Sequence, residues 1–219
     1  MAKFDKIIFD FDDTIWARDD EHFETSVNNL QFVADILQDR AIIVSGSPFF
    51  VLKEKFEEAV VNVPLVVADA NSTIYKDGKF VETFPECDIY DEAYIIKEYL
   101  KDKMSLESSL IGTTCLKIRP IRPNSIREVI AKYLNEEVFP KLGIKKCVAK
   151  VTGKTTIDIV SIYNSKKLVY NKLELDKYRT LYIGDEIDSG NDKDIALLCD
   201  DCIRVRNVED TANLFKIWE

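Results

Sequence analysis

Histidine is almost missing from this chain: His22 is the single one among 219 residues. That excludes histidine-rich metal centres, and it leaves a serine–histidine–aspartate hydrolase without a base unless His22 itself serves. His22 lies in the polar segment ARDDEHFE, the setting of a solvated loop residue. Long apolar runs are missing too, since none approaches the roughly 18 residues of a membrane-spanning helix. The N-terminal MAKFDKIIFDFDDT meets its first acid at Asp5 and has no secretory apolar region. The chain therefore reads as cytoplasmic, with no membrane partner. Basic charge is also short, 30 Lys and Arg against 39 Asp and Glu for a net −9, which argues against nucleic acid as a partner. Cys87, Cys115, Cys147, Cys199 and Cys202 are odd in number and scattered, as suits reduced thiols. Cys199 and Cys202 form a CxxC, but no second pair stands by to complete a zinc site.

What is present is a core-forming alternation. Hydrophobic residues make up 46% of the chain, ample for a buried interior. KIIFDF is followed by a helical spacing of Phe23, Val27, Leu30, Val33 and Leu37, then AIIVSGS, a helix over about 49–60, and PLVVADA. Such β-α-β-α-β alternation predicts a parallel sheet covered by helices, because strands buried on both faces read as unbroken apolar runs. TIYKDGKFVET then predicts a hairpin turned at Asp77-Gly78. Between about Phe84 and Ile162 the rhythm changes to helices near 89–101 and 124–139, with strand candidates TTCLKIRPI, KKCVAKV and TTIDIVSI. We read residues 84–162 as an inserted α+β cap and residues 1–83 with 163–219 as a Rossmann-like, doubly wound α/β core. The last part resumes the first pattern, with a helix from about Lys166, the strand TLYIGDE, a helix after Gly190 and the strand CIRV.

FDFDDTIW places Asp10, Asp12 and Asp13 directly behind a buried strand. Carboxylates this close raise one another's pKa unless a cation lies among them. In an open parallel sheet, ligands collect beyond the carboxyl ends of the strands. Asp10 and Asp12, Ser45, Gly46 and Ser47, Asp69 and Asn71, and Gly184 and Asp185 each follow one apolar run and can line one crevice. Acids from two distant segments suit a hard, oxygen-liganded cation of the Mg²⁺ kind. Hydroxyls, glycine and a lysine beside it are the means of gripping a phosphoryl group.

These motifs carry a resemblance. DFDDT resembles the DxDxT signature of the haloacid dehalogenase superfamily, IIVSGS its hydrophobic run ending in Ser or Thr, and YIGDEIDSGND its terminal acidic motif. The family's lysine is best matched by Lys166, with Lys167 and Lys154 as alternatives. An insert after the third strand is similar to the C2-capped sugar-phosphatase and phosphomannomutase group. The resemblance implies Asp10 as nucleophile, forming an aspartyl-phosphate, and Asp12 as the acid that protonates the leaving alkoxide and then the base that activates water. Ser45 would donate to a phosphoryl oxygen and Lys166 would balance its charge. Mg²⁺ would be held by Asp10, the Asp12 carbonyl and Asp185, with Asp192 as ligand or support and Asp188 as a further candidate. Asp13 points away and serves structure. Gly46, Ser47, Asn71, Arg119, Arg122, Thr156 and Asp158 would contact substrate, although Arg119 and Arg122 equally suit a solvated strand edge. The mutases' Asn-Gly is Asn71-Ser72 here, and their arginine-rich cap segment is not present as such. The resulting expectation is a Mg²⁺-dependent phosphatase of a small phosphorylated metabolite such as a sugar phosphate. A hexose phosphomutase and a catalytically silent protein of the same fold are the alternatives.

Overall fold

Strands with no polar residue in their interior can be satisfied only at the centre of a sheet, and that is where these lie. The computed structural model describes residues 3–101, 106–120, 126–152, 155–188 and 192–218. Its chain divides into two units, Met1–Glu82 with Ser165–Glu219, and Thr83–Asn164.

In the first unit, β1 (Lys6–Phe9), β2 (Ala41–Val44) and β3 (Leu65–Ala68) are joined through α1 (Phe23–Phe32) and α2 (Phe49–Glu58). The hairpin strands β4 (Thr73–Lys76) and β5 (Lys79–Thr83) follow, turned at Asp77 and Gly78, both of positive φ. A primed turn of that kind matches the twist of the flanking strands. After the insert come α6 (Lys166–Lys172), β10 (Thr180–Gly184), α7 (Lys193–Ala196), β11 (Asp201–Arg204) and α8 (Val208–Trp218). The sheet order is β11-β10-β1-β2-β3-β4-β5, with β4 antiparallel to β3 and the five strands from β11 to β3 parallel. β1 is thus the switch point: the chain proceeds to β2 and β3 on one side and returns to β10 and β11 on the other. A crevice opens where connections diverge in this way, at the carboxyl ends of β1 and β10.

Alternate residues divide the core. Ile7, Phe9, Ile43, Leu181 and Ile183 share one cluster with α1, α2 and α8, where Phe215 stacks on Phe32 at 4.2 Å and meets Phe9 edge-on at 5.9 Å. Ile8, Ile42, Val67 and Tyr182 are equally buried but lie outside that cluster, on the opposite face. The helical run expected over 23–38 is broken by a π-helical turn at Val33–Leu37 and a 3₁₀ turn at Gln38–Arg40. His22 is no loose loop residue, since it precedes α1 and pairs with Asp19 at 2.7 Å and Glu209 at 3.6 Å.

The second unit contains α3 (Tyr90–Lys101), β6 (Leu106–Ile111), β7 (Cys115–Pro120), α4 (Arg127–Tyr133), α5 (Phe139–Leu142), β8 (Cys147–Thr152) and β9 (Thr156–Ser161). Its sheet is antiparallel, in the order β6-β7-β9-β8. Leu116, Ile118, Ile157 and Ile159 pack with α3 and the α4–α5 segment. β6 is an addition to the strands read from sequence. Its LESSLI carries Glu-Ser-Ser at the centre, a poor β signal that pairing with β7 overrides. All five cysteines are free, and burial foremost pushes the Cys199 thiol up to about 12, against a reactive CxxC. No helix among the described residues is long and apolar enough to cross a membrane.

Candidate active site

Asp10 is the first residue past β1, and its N–H still donates to the Ile183 carbonyl at 2.9 Å, continuing the ladder to β10. The chain then curls: the Phe11 carbonyl accepts from Ile15 at 2.9 Å and Trp16 at 3.0 Å, and Asp13 takes a positive φ of 60°. This curl makes Asp12 available to β2's loop, where Ser47 Oγ donates to Asp12 Oδ2 at 2.9 Å. Asp13 turns aside as expected, and its carboxylate meets Arg18 Nε at 3.3 Å.

Lys166 is the first residue of α6, behind Ser165, whose hydroxyl accepts the Leu168 N–H at 3.2 Å and starts the helix. Its ammonium, buried with the side chain 2% exposed, donates to Asp10 Oδ1 at 2.5 Å, Asp192 Oδ1 at 2.7 Å and Tyr182 Oη at 3.1 Å. Burial acts to lower the Lys166 pKa, but Asp10, Tyr182 and Asp192 outweigh it and hold the ammonium well above its usual range. For Asp10 the balance falls the other way: burial, opposed by Lys166 and reinforced by Asp192 and Asp12, pushes the carboxyl up to about 7. Asp185, just beyond β10, is also raised, by burial first and Asp192 second.

Carboxylate oxygens of Asp10, Asp185 and Asp192 lie within 4.8 Å of one another. Asp192 Oδ2 is buried with no hydrogen-bond partner, an acceptor that leaves a coordination position to fill. Three carboxylates without histidine or thiolate form a donor set for a hard divalent cation. Asp188 is excluded from this group: it is exposed and paired with Arg204 at 2.5 Å. Lys167 is exposed at the surface of α6, and Lys154 lies outside the described residues.

Ser45 is buried at the end of β2, its N–H donating to the Val67 carbonyl at 2.8 Å. Its hydroxyl oxygen accepts from the Ser47 N–H at 3.0 Å, so its own proton is directed elsewhere. The carbonyls of Ser45, Gly46 and Ser47 accept from Asn71, Ala70 and Asp69 respectively, three successive residues of positive φ. Such a run is costly for residues with a Cβ. It is tied down by Asp69, which accepts from the Phe49 N–H at 2.8 Å and the Tyr75 hydroxyl at 2.6 Å. Asn71 is thereby set beside Ser45 with its Oδ1 buried and unpartnered.

Asp10, Asp12, Ser45, Gly46, Ser47, Lys166, Asp185 and Asp192 thus gather at the switch point of the first unit, with Asn71 adjoining. Arg119, Thr156 and Asp158 form a separate group in the second unit. Arg119, Lys117 and Thr156 line a groove of about 320 Å³ on the sheet face opposite the helices of this unit, and Asp158 lies 3.8 Å from Lys117. Burial, partly offset by Lys117, raises the Asp158 pKa. Arg119 is exposed and lies 3.9 Å from Glu107 on β6. Arg122 lies outside the described residues. Tyr182 and Arg18 were not identified from the sequence; the tyrosine was legible only as a polar tip in the middle of TLYIG.

Gly184 has a packing role. A Cβ there would come within 2.4 Å of Asp192 Oδ2 and 2.8 Å of the Tyr182 ring. Gly184→Ala is expected to cost about 1–3 kcal/mol of stability through this overpacking, read by chemical denaturation. A variant as stable as wild type would show that Asp192 can move freely.

Comparison with family models and with curated proteins yields no match. Solved structures do resemble this chain. The trehalose-6-phosphate phosphatase of Aspergillus fumigatus is 13% identical, with 99% of this chain and 93% of that one covered and a TM-score of 0.56. The sucrose-phosphatase of Synechocystis sp., solved with sucrose and phosphate, is 15% identical over 98% and 88%, with a TM-score of 0.61. The IMP-nucleotidase of Plasmodium falciparum, solved with IMP, is 16% identical over 97% and 67%, with a TM-score of 0.56. With its β1 switch point and inserted antiparallel sheet, the chain shares the fold of these phosphatases.

Proposed function

We propose that this protein is a Mg²⁺-dependent phosphatase of a small phosphorylated metabolite, a sugar phosphate in the first instance. The observation that carries the reading is the buried Asp10–Lys166–Asp192 bridge, set at the switch point with Asp12 and Ser45 at neighbouring strand ends. The solved phosphatases with this fold include two that act on sugar phosphates, which supports the substrate class.

Asp10 attacks phosphorus; the bond to the leaving oxygen breaks as Asp12 delivers its proton to that oxygen. Asp12, now a carboxylate, takes a proton from water, which attacks phosphorus and releases Asp10. Ser45 donates to a phosphoryl oxygen and Lys166 keeps Asp10 oriented and its environment cationic. Asp10, Asp185, Asp192 and the Asp12 carbonyl would hold Mg²⁺, which would supply the positive charge that lets a carboxylate approach a phosphate dianion. Arg119, Thr156 and Asp158 serve in this reading as contacts that select the substrate.

The direct test is phosphate release from a panel of phosphate monoesters with Mg²⁺. Phosphate from a hexose monophosphate is expected, with no isomerisation when a hexose bisphosphate is added. Isomerisation without stoichiometric phosphate would instead establish a phosphomutase.

Ligand assignments are separable by titration. Asp12→Asn is expected to leave Mg²⁺ affinity nearly intact, because only its carbonyl is used, whereas Asp185→Asn weakens binding by about tenfold or more. Equal weakening would refute the assignment. Because the metal-free Asp10 carboxyl is held up to about 7, protons compete with the cation below that pH. Affinity is expected to rise as pH increases through about 7 and to level off above it.

A further inference from the structure

Beside Asp12 the first unit contains a cavity of about 530 Å³. Asp12 and Ser47 stand on its wall, while Asp10, Lys166, Asp185 and Asp192 do not. It therefore adjoins the carboxyl group assigned to the leaving-group oxygen and not the carboxylates assigned to the metal. Trp16 and Phe23, edge-to-face at 5.8 Å, form an aromatic wall, and Phe23 is 45% exposed. Two cations face four carboxylates around the cavity, and both are already matched. Arg18 lies 3.3 Å from Asp13 and 4.0 Å from Asp12. Lys55 is bound to Glu58 at 3.0 Å and lies 5.3 Å over the Trp16 ring.

We infer that this cavity receives the leaving group and that it is built for a neutral, polyhydroxylated one. The inference rests on the phosphatase reading above and adds where the body of the substrate sits and that it carries no second charge. Surplus carboxylates accept hydrogen bonds from hydroxyls, and an aromatic wall takes the C–H face of a sugar ring. The same surplus repels a second phosphate, because no unmatched cation lines the cavity among the described residues. The volume is in the range of small-molecule sites, roughly 300–1,000 Å³.

The cavity contains its own reporter. Trp16 and Trp218 are the two tryptophans, and Trp218 lies on α8, so Trp218→Phe leaves Trp16 as the sole tryptophan, excited selectively beyond the tyrosine band. In that background a hexose monophosphate is expected to change Trp16 emission saturably, while methyl phosphate, which has no body to fill the cavity, does not. Val51 also lines the cavity, and Val51→Phe should partly fill it. With Mg²⁺ this variant should lose about tenfold or more in kcat/KM for the hexose monophosphate and stay within about twofold for acetyl phosphate. Phe23→Ala, which removes the wall without filling the space, should lose in the same selective way. Equal losses on both substrates, no loss, or a preference for a hexose bisphosphate or a nucleoside monophosphate would overturn the inference. If no ester is cleaved but Trp16 still responds to the hexose monophosphate, the phosphatase reading fails, and the leaving-group role with it, while the cavity stands as a site for the polyhydroxylated body of the ligand. Absence of both signals would overturn both.

Discussion

Asp10→Asn is expected to reduce phosphate release below about 1% of wild type, a barrier increase above ~2.7 kcal/mol, because an amide cannot form the acyl-phosphate bond. Retention of more activity than that would remove Asp10 from the nucleophile's place. Stability provides an independent readout. Burial foremost lifts the Asp10 carboxyl from 3.8 to about 7 in the metal-free fold. A group whose folded pKa is raised in this way favours the fold while protonated and loses that contribution as pH climbs from the unfolded to the folded value. The asparagine variant lacks this term. In chelator, its melting temperature relative to wild type should rise between about pH 4 and pH 7 and change little above that. Lys166, still paired with Asp192 at 2.7 Å, keeps the amide variant folded.

Lys166→Met produces the second large effect. The ammonium bonds to two carboxylates whose side chains are 14% and 4% exposed, so its removal leaves two buried carboxyl groups facing each other with no cation between them. Breaking a buried ion pair from one side costs about 3–5 kcal/mol. Metal-free Lys166→Met is expected to lose stability on that scale, and turnover should fall at least about 100-fold as Asp10 loses its orienting partner. Mg²⁺ binds the same carboxylates in the folded state, so it should restore a larger part of the stability in the variant than in wild type. Denaturation with and without Mg²⁺ measures both terms. A loss below about 1 kcal/mol would mean that the bridge is not a structural element of the site.

The group at the switch point was largely legible from sequence, and the reason is local. Asp10, Ser45 and Asp185 each follow an apolar run that can only be a central strand, and parallel strands deliver their carboxyl ends to one edge. Lys166 was harder, because a lysine at a helix start carries no such pattern; Lys167 differs from it by one residue and a rotation of about 100°. Only packing decides which of the two is buried against Asp10. Asp188 and Asp192 show the same limit: both are acids of one motif, yet one is buried in the cluster and the other is exposed against Arg204.

From sequence alone came the alternation that demands a buried parallel sheet, the interruption of that pattern near residue 84, and a carboxylate density that only a cation or a proton can relieve. These follow from hydrophobic burial and like-charge repulsion, which act through residue type and spacing. What the tertiary structure decided depends on direction and distance. Tyr182 was joined to Lys166, LESSLI was recruited as a strand, Gly184 proved necessary beside Asp192, and Arg18, Trp16 and Phe23 were brought around a cavity at Asp12. Each of these depends on which way a side chain points or which strand comes to lie alongside, and spacing along a chain specifies neither.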